Sequence, residues 1–162
     1  MSIKEDENLI NIYNYYDGNL IFSLDEFDAY NCSFSHNGEK LLLGTSGGEE
    51  ICRLYNLNNV NYEKFYNYNK PNKNTSVSII NDSKSESGFI ICISENQNPI
   101  LFNINKKQLI KEYNIEFNFN YIYELKLSSP YFCVIGKNNN KNKAILYHFY
   151  YKKYLKIFNE VE

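Results

Sequence analysis

Short segments in which apolar and polar side chains alternate are separated along this chain by turn residues, roughly every ten positions. From Ala29 to Ser35 the aromatic and cysteine side chains fall on one side and the Asn and Ser side chains on the other. A period of two is typical of a strand with one buried face. Asn37-Gly38 then favours a tight hairpin, and the run from Lys40 to Gly44 indicates a strand buried on both faces. No window keeps a helical apolar stripe, so the pattern predicts an all-β domain.

A phrase of four residues (apolar, aromatic, small polar, apolar) recurs along the chain and marks a repeat. Its aromatic members are Tyr13, Tyr55, Phe102 and Tyr147, which are 42, 47 and 45 residues apart. Each phrase is expected to close the third strand of a four-stranded unit. The predicted units span residues 29–70, 74–117 and 119–160, and residues 1–28 are predicted to hold the last two strands of an earlier unit.

The repeat resembles a known family. Residues 29–57 resemble a WD40 repeat in hairpin placement, and the period matches the ~40–45 residues of that family. The recurring phrase stands where the family has its Trp-Asp dipeptide. The whole chain therefore resembles about three and a half blades of a WD40-type β-propeller. The resemblance implies a single incomplete domain over residues 1–162, a partial WD40-like β-propeller of four-stranded antiparallel blades.

Three blades and a remnant are too few to close a ring, which takes about 4–8 blades. Three explanations stay open: the chain is a piece of a longer propeller, a second copy or a partner chain completes the ring, or the chain closes as a small, distorted barrel or sandwich. An open ring would leave apolar sheet faces at its ends, and such faces mark association surfaces.

Composition and charge change this picture little. The net charge of −2 gives no global reason to expect a nucleic-acid partner. Residues 1–50 hold ten acidic side chains against two lysines, whereas residues 100–162 hold ten lysines against five acids. This asymmetry fits either a contact surface or a solvated rim. The abundance of Asn is interpreted as compositional bias.

Targeting signals are not evident in the sequence. No stretch approaches the ~18 apolar residues of a membrane span, and the acidic start is unlike a secretory signal. The protein is expected inside the cell, in the cytoplasm or the nucleus. Its four cysteines are expected to be reduced, with Cys92 and Cys133 in the core at corresponding places of two second strands.

No combination of residues predicts catalysis, a metal site or a cofactor. We expect His36 to be exposed beside a hairpin and His148 to make a structural hydrogen bond. The carboxylates of Glu49-Glu50, and of Asp25-Glu26 with Asp28, are expected on a solvated face rather than in a catalytic cleft.

The sequence therefore predicts a non-enzymatic scaffold or adaptor for protein–protein interaction; a partner that completes the ring is one of the three open explanations. Exposed rim residues, namely Tyr66, Tyr68, Lys70 and Tyr121, are the candidate interaction surface, because rigid aromatic side chains are favoured at interface hot spots. Packing between blades is an equally open interpretation of these tyrosines.

The alternative function is a phosphoinositide- or membrane-recruited propeller of the autophagy type. Those propellers use an Arg-Arg pair within a Phe-Arg-Arg-Gly motif, whereas this chain has a single arginine, Arg53, followed by Leu54. Lipid binding is thus not supported by that motif. A nucleic-acid-associated propeller subunit ranks below it, and an enzyme ranks last.

Overall fold

The computed structural model describes residues 9–25, 28–59, 61–66, 72–80, 88–114, 119–128, 130–149, 151 and 154–159. Within these ranges the chain forms sixteen β-strands. No helix in the described part is long and apolar enough to cross a lipid bilayer.

Fourteen strands form four antiparallel sheets, numbered here I to IV in chain order. Sheet I pairs β1 (Leu9–Tyr13) with β2 (Leu20–Asp25). Sheet II contains β3 (Ala29–Phe34), β4 (Lys40–Thr45), β6 (Glu50–Asn56) and β7 (Tyr62–Tyr66) in that spatial order. Sheet III contains β9 (Ser76–Ile80), β10 (Phe89–Ile93), β11 (Ile100–Asn103) and β12 (Gln108–Glu112). Sheet IV contains β13 (Tyr121–Ser128), β14 (Tyr131–Asn138), β15 (Lys141–His148) and β16 (Tyr154–Asn159). The short strands β5 (Gly47–Gly48) and β8 (Asn72–Lys73) pair with each other.

The tight hairpin turn that the sequence predicts at Asn37-Gly38 is confirmed. Gly38 has a φ of 72°, in the left-handed region that glycine favours. Its backbone N–H donates to the Ser35 carbonyl at 2.9 Å, and the Ser35 N–H donates to the Lys40 carbonyl at 2.9 Å. This turn sets the register in which β3 and β4 pair.

The repeat is visible in the strand register. In sheets II, III and IV the aromatic residue of the third strand lies opposite the second residue of the second strand; the pairs are Tyr55–Leu41, Phe102–Ile90 and Tyr147–Phe132. All three aromatic side chains are buried. Tyr13 lies at the matching place in β1 but is 46% exposed. Tyr55 faces the preceding sheet, whereas no described sheet covers the corresponding face of sheet I.

A β-bulge recurs in the outer strand of three sheets. The register shifts just before the aromatic residues Tyr13, Phe102 and Tyr147, so that one residue of the fourth strand is left without a partner. These extra residues are Ile21, Ile110 and Leu155, which are 57%, 49% and 46% exposed. In sheet II, β7 has no bulge at this place, and Glu63 pairs directly with Leu54.

The core lies between the sheets, in three clusters. Between sheets I and II it contains Ile10, Ile12, Leu24, Leu41, Leu43 and Tyr55. Between sheets II and III it includes Leu42, Leu54, Phe65, Ile79, Ile90 and Phe102, and between sheets III and IV it includes Ile91, Leu101, Tyr113, Phe132, Ile145 and Tyr147. Successive sheets therefore stack face to face, and alternate residues of each inner strand serve two interfaces. The barrel or sandwich alternative does not describe these separate, stacked sheets.

Sheets II and III approach each other closely at Gly44. A Cβ added at Gly44 would overlap the Thr75 carbonyl oxygen and lie 3.0 Å from Cγ1 of Val77. Beside it, the Thr75 N–H donates to the Thr45 carbonyl at 2.9 Å, so backbone hydrogen bonding joins the two sheets directly. Only glycine leaves room for this contact.

The expectation that Cys92 and Cys133 occupy corresponding core positions is wrong. Cys92 is the fourth residue of β10 and is fully buried, whereas Cys133 is the third residue of β14 and is half-buried. A displacement of one residue along a strand turns the side chain to the opposite face. Cys133 therefore lies on the outer side of sheet IV, and Val134 takes the place that corresponds to Cys92.

Candidate interaction surfaces

The two described candidate interaction residues, Tyr66 and Tyr121, fall at one end of the sheets. Tyr66 ends β7 opposite Glu50 and is 38% exposed, and Tyr121 begins β13 and is 45% exposed. Tyr66 belongs to the outermost strand of sheet II and Tyr121 to the first strand of sheet IV, so the structure places them on different sheets. Tyr68 and Lys70 lie outside the described residues. That these residues bind a partner stays a prediction.

Tyr121 belongs to a cluster of tyrosines at this end. Its hydroxyl is hydrogen-bonded to that of Tyr30, and its ring meets the ring of Tyr123 edge-on at 5.2 Å. Burial raises the pKa of the Tyr30 hydroxyl, and the Tyr121 hydrogen bond and the charge of Glu95 raise it further. The ammonium of Lys137 lies 5.9 Å from the Tyr123 ring centroid, within cation–π distance. The cluster thus presents hydroxyl groups and aromatic faces, which suit polar and apolar contacts alike.

Beside this cluster, Glu95 is a buried carboxylate tied to the connection between sheets II and III. It is 7% exposed and accepts a hydrogen bond from the Asn74 amide at 2.8 Å. The Lys73 ammonium lies 3.8 Å away. Asn74 has a φ of 49°, which Asn tolerates better than most residues. Because a buried carboxylate needs such partners, Glu95 is assigned a structural role.

The only arginine is also engaged. The Arg53 guanidinium donates to both carboxylate oxygens of Asp28, at 2.9 and 3.2 Å, and its Nε donates to Glu50. Lys64 lies 2.8 Å from the same Glu50, whose hydrogen bond raises the pKa of the lysine. The expectation that Asp28 and Glu50 lie on a solvated face is therefore wrong for Glu50, whose side chain is 13% exposed within this network.

The histidines occupy different settings. His36 is exposed beside the Asn37-Gly38 turn, as expected. His148 packs against two tyrosine rings, edge-on to Tyr131 at 5.1 Å and tilted to Tyr151 at 4.7 Å. Among the described residues, no group of His, Cys, Asp and Glu side chains could hold a metal ion.

A further surface, which sequence analysis did not assign to residues, is the outer side of sheet IV. In each blade-like sheet the third residue of the second strand pairs with a leucine of the third strand. The equivalent pairs are Leu42–Leu54, Ile91–Leu101 and Cys133–Leu146. The next sheet covers the first two pairs, which are at most 6% exposed, whereas Cys133 and Leu146 are only half-buried.

The side of sheet IV around Cys133 and Leu146 is called the terminal face here. The strand register adds Ile135, Ala144 and Lys126 to it. Its centre is apolar, and its edge carries Lys126 and Glu124, whose side chains form an ion pair at 3.0 Å. The sequence contained a signal for this surface. Cys133 is the third residue of its strand and Cys92 is the fourth residue of its own, and this offset of one residue places the two side chains on opposite faces of their sheets.

Solved structures also contain four-stranded sheets that stack face to face with the first strand of each sheet innermost. The chain superimposes on Kuenenia stuttgartiensis hydrazine synthase with a TM-score of 0.73 and 4% identity, over 94% of this chain and 43% of that one. It superimposes on the Dos1 propeller with a TM-score of 0.68 and 11% identity, over 94% of this chain and 42% of that one. The chain folds as part of a β-propeller. Sheets II, III and IV have the four-stranded antiparallel form of propeller blades and are called blades II, III and IV below, and sheet I pairs two strands.

The chain spans less than half the length of either structure. No protein-family profile and no curated protein matches the sequence. At identities this low the structural likeness shows the fold alone.

Proposed function

We propose that this protein is a non-enzymatic scaffold for protein–protein interaction, built on divergent WD40-like blades, and that its terminal face binds another β-sheet. The observation that carries the proposal is the half-buried state of Cys133 and Leu146, at positions whose equivalents are covered in blades II and III. The repeat itself indicates the occupant, because an adjoining blade covers every other copy of this face.

The energetic argument rests on apolar area. Two fully covered aliphatic side chains contribute about 1.5–3 kcal/mol each relative to exposed ones. Half-covered side chains at Cys133 and Leu146 leave part of that free energy available to a docking sheet. A second copy of the chain, or a blade of a partner, supplies such a sheet and extends the incomplete ring.

Analytical ultracentrifugation of the purified chain over a range of concentrations tests the proposal. We expect association of the unmodified chain and its loss in Leu146→Glu, because a carboxylate cannot be buried unpaired at a sheet–sheet interface. Leu155→Glu is the matched control, since Leu155 belongs to the same sheet but is exposed on the outer strand. A monomeric unmodified chain, or equal association of both variants, would contradict the proposal.

The phosphoinositide alternative stays a prediction of lower rank. Arg53 is held by Asp28 and Glu50, so the described residues offer no free arginine for a phosphate. Flotation with liposomes that do or do not contain phosphoinositides tests this alternative directly.

A further inference from the structure

A cleft of roughly 520 Å³ opens between blades II and III, away from the terminal face. It lies where the turn between β6 and β7 faces the turn between β11 and β12. Blade II contributes Lys40, Leu54 and Glu63 to its lining, and blade III contributes Ile104 and Lys107. Its volume falls within the ~300–1,000 Å³ typical of ligand sites.

The lining combines an apolar floor with hydrogen-bond donors. Leu54 and Ile104 are both 5% exposed and form the floor. Asn56 and Asn59 line the rim, and their side-chain oxygens accept the backbone N–H groups of the turn at 3.0 and 3.1 Å. Their amide NH₂ groups therefore remain as donors.

The charges of the cleft are unbalanced in favour of cations. Lys107 forms an ion pair with Glu63 at 3.2 Å, which joins the two blades across the cleft. Lys40 is half-buried, and no carboxylate of the described residues lies within ion-pair distance of its ammonium. The lining thus carries two lysines against one carboxylate.

The backbone at Lys107 adds an independent observation. Lys107 has a φ of 51°, and the other four described non-glycine residues with positive φ are all Asn. A left-handed conformation is costly for a residue with a long side chain. Strained residues that persist are concentrated at binding sites, and Lys107 lines the wall of the cleft.

We propose that this cleft binds an acidic peptide segment of a partner protein. An aliphatic side chain packs on Leu54 and Ile104, and the carboxylate of an Asp or Glu two residues away accepts hydrogen bonds from Lys40 and the rim amides. Residues two positions apart in an extended peptide have their side chains on the same side. The inference rests on the proposed scaffold function and deepens it, because it assigns the chemistry of a recognised segment.

The test is a titration of methyl-labelled protein with acetyl-Leu-Ala-Glu-amide, followed by NMR at the Leu54 and Ile104 methyl groups. We expect saturable shifts with a Kd of millimolar order, as befits so small a ligand. The neutral isostere acetyl-Leu-Ala-Gln-amide should bind about tenfold more weakly, since hydrogen bonds to a charged group are the stronger ones. Lys40→Gln should weaken the Glu peptide to a similar degree.

The strained lysine provides a second, structurally independent readout. Lys107→Asn should weaken binding while leaving the Tm at or above that of the unmodified protein, because Asn fits the left-handed backbone. Lys106→Asn is the matched control, since Lys106 belongs to the same turn but does not line the cleft; it should leave binding unchanged.

Equal affinity for the Glu and Gln peptides, unchanged binding by Lys40→Gln, or the absence of saturable shifts would each overturn the assignment. The peptide titration, read beside the association assay with Leu146→Glu, separates the two proposals. If the titration fails while association through the terminal face persists, only the cleft assignment is wrong. If the peptide binds while association is absent, the terminal-face proposal is wrong and the cleft assignment stands.

Discussion

Substitution of Gly44 by Ala tests the packing of one blade on the next. The added methyl group would overlap the Thr75 carbonyl oxygen, so the first strand of blade III must move away from blade II. That movement stretches the 2.9 Å hydrogen bond from the Thr75 N–H to the Thr45 carbonyl. Overpacking typically costs about 1–3 kcal/mol, and the loss of a backbone hydrogen bond costs about 0.5–1.5 kcal/mol. We expect the free energy of unfolding to fall by about 2–4 kcal/mol.

Urea denaturation followed by far-ultraviolet circular dichroism and tyrosine fluorescence measures this loss, since the chain has 16 Tyr and no Trp. Gly48→Ala is the control. Unlike Gly44, Gly48 has a positive φ, 84°, and no atom lies within 4 Å of the position of an added Cβ. Gly48→Ala should lower the free energy of unfolding only by the cost of the left-handed backbone conformation, about 1–2 kcal/mol. If Gly44→Ala proves no more destabilising than Gly48→Ala, the close approach of the two blades is not as described.

Other substitutions test the interior and the ion network. Tyr147→Phe should stabilise the protein by about 1 kcal/mol in thermal unfolding, because it removes a buried hydroxyl with no hydrogen-bond partner in the described structure. Tyr113→Phe should instead destabilise it by about 1 kcal/mol, since the Tyr113 hydroxyl donates to a backbone carbonyl at 3.1 Å. Burial raises the pKa of Tyr113 to about 12; stability should therefore decline as the pH rises from about 10 towards 12, and Tyr113→Phe should flatten that decline in a pH series of urea midpoints. Arg53→Lys should cost about 1–2 kcal/mol through loss of the two-pronged contact with Asp28, whereas Lys126→Gln, at an exposed pair, should change the urea midpoint little.

The strand order and the repeat could be predicted because each rests on a local signal. The alternation from Ala29 to Ser35 and the Asn37-Gly38 turn correctly predicted β3, β4 and the hairpin between them. The recurring aromatic residues also lie at matching places in the strand register, because each four-residue phrase ends a third strand at the same position relative to the second strand. Local chemistry is sufficient for these features.

The surfaces could not be predicted to the same degree, because they depend on contacts between distant segments. Glu50 reads as a solvated residue in the sequence, but Arg53 and Lys64 surround it in the structure. The cleft likewise requires two turns from different blades, about fifty residues apart, and no pattern within either turn indicates the other.

The abundance of Asn has a physical role that an interpretation as compositional bias overlooks. Asn74, Asn96, Asn139 and Asn140 all adopt positive φ in turns or connections between strands. The short Asn side chain tolerates this backbone, as glycine does, and can also hydrogen-bond to it. A chain with seven glycines thus has further residues suited to its tight turns.

The bulges of the outer strands bear on aggregation. Among the described strands, β2, β12 and β16 each carry an unpaired residue that interrupts the regular ladder of N–H and C=O groups. An interrupted edge is a poor template for a strand from another molecule, and natural sheets use this device against cross-β growth. The bulge divides β12 into two runs of only two paired residues, whereas β2, β7 and β16 each keep a run of four. Misassembly of destabilised protein is therefore expected to begin at one of those three strands rather than at β12.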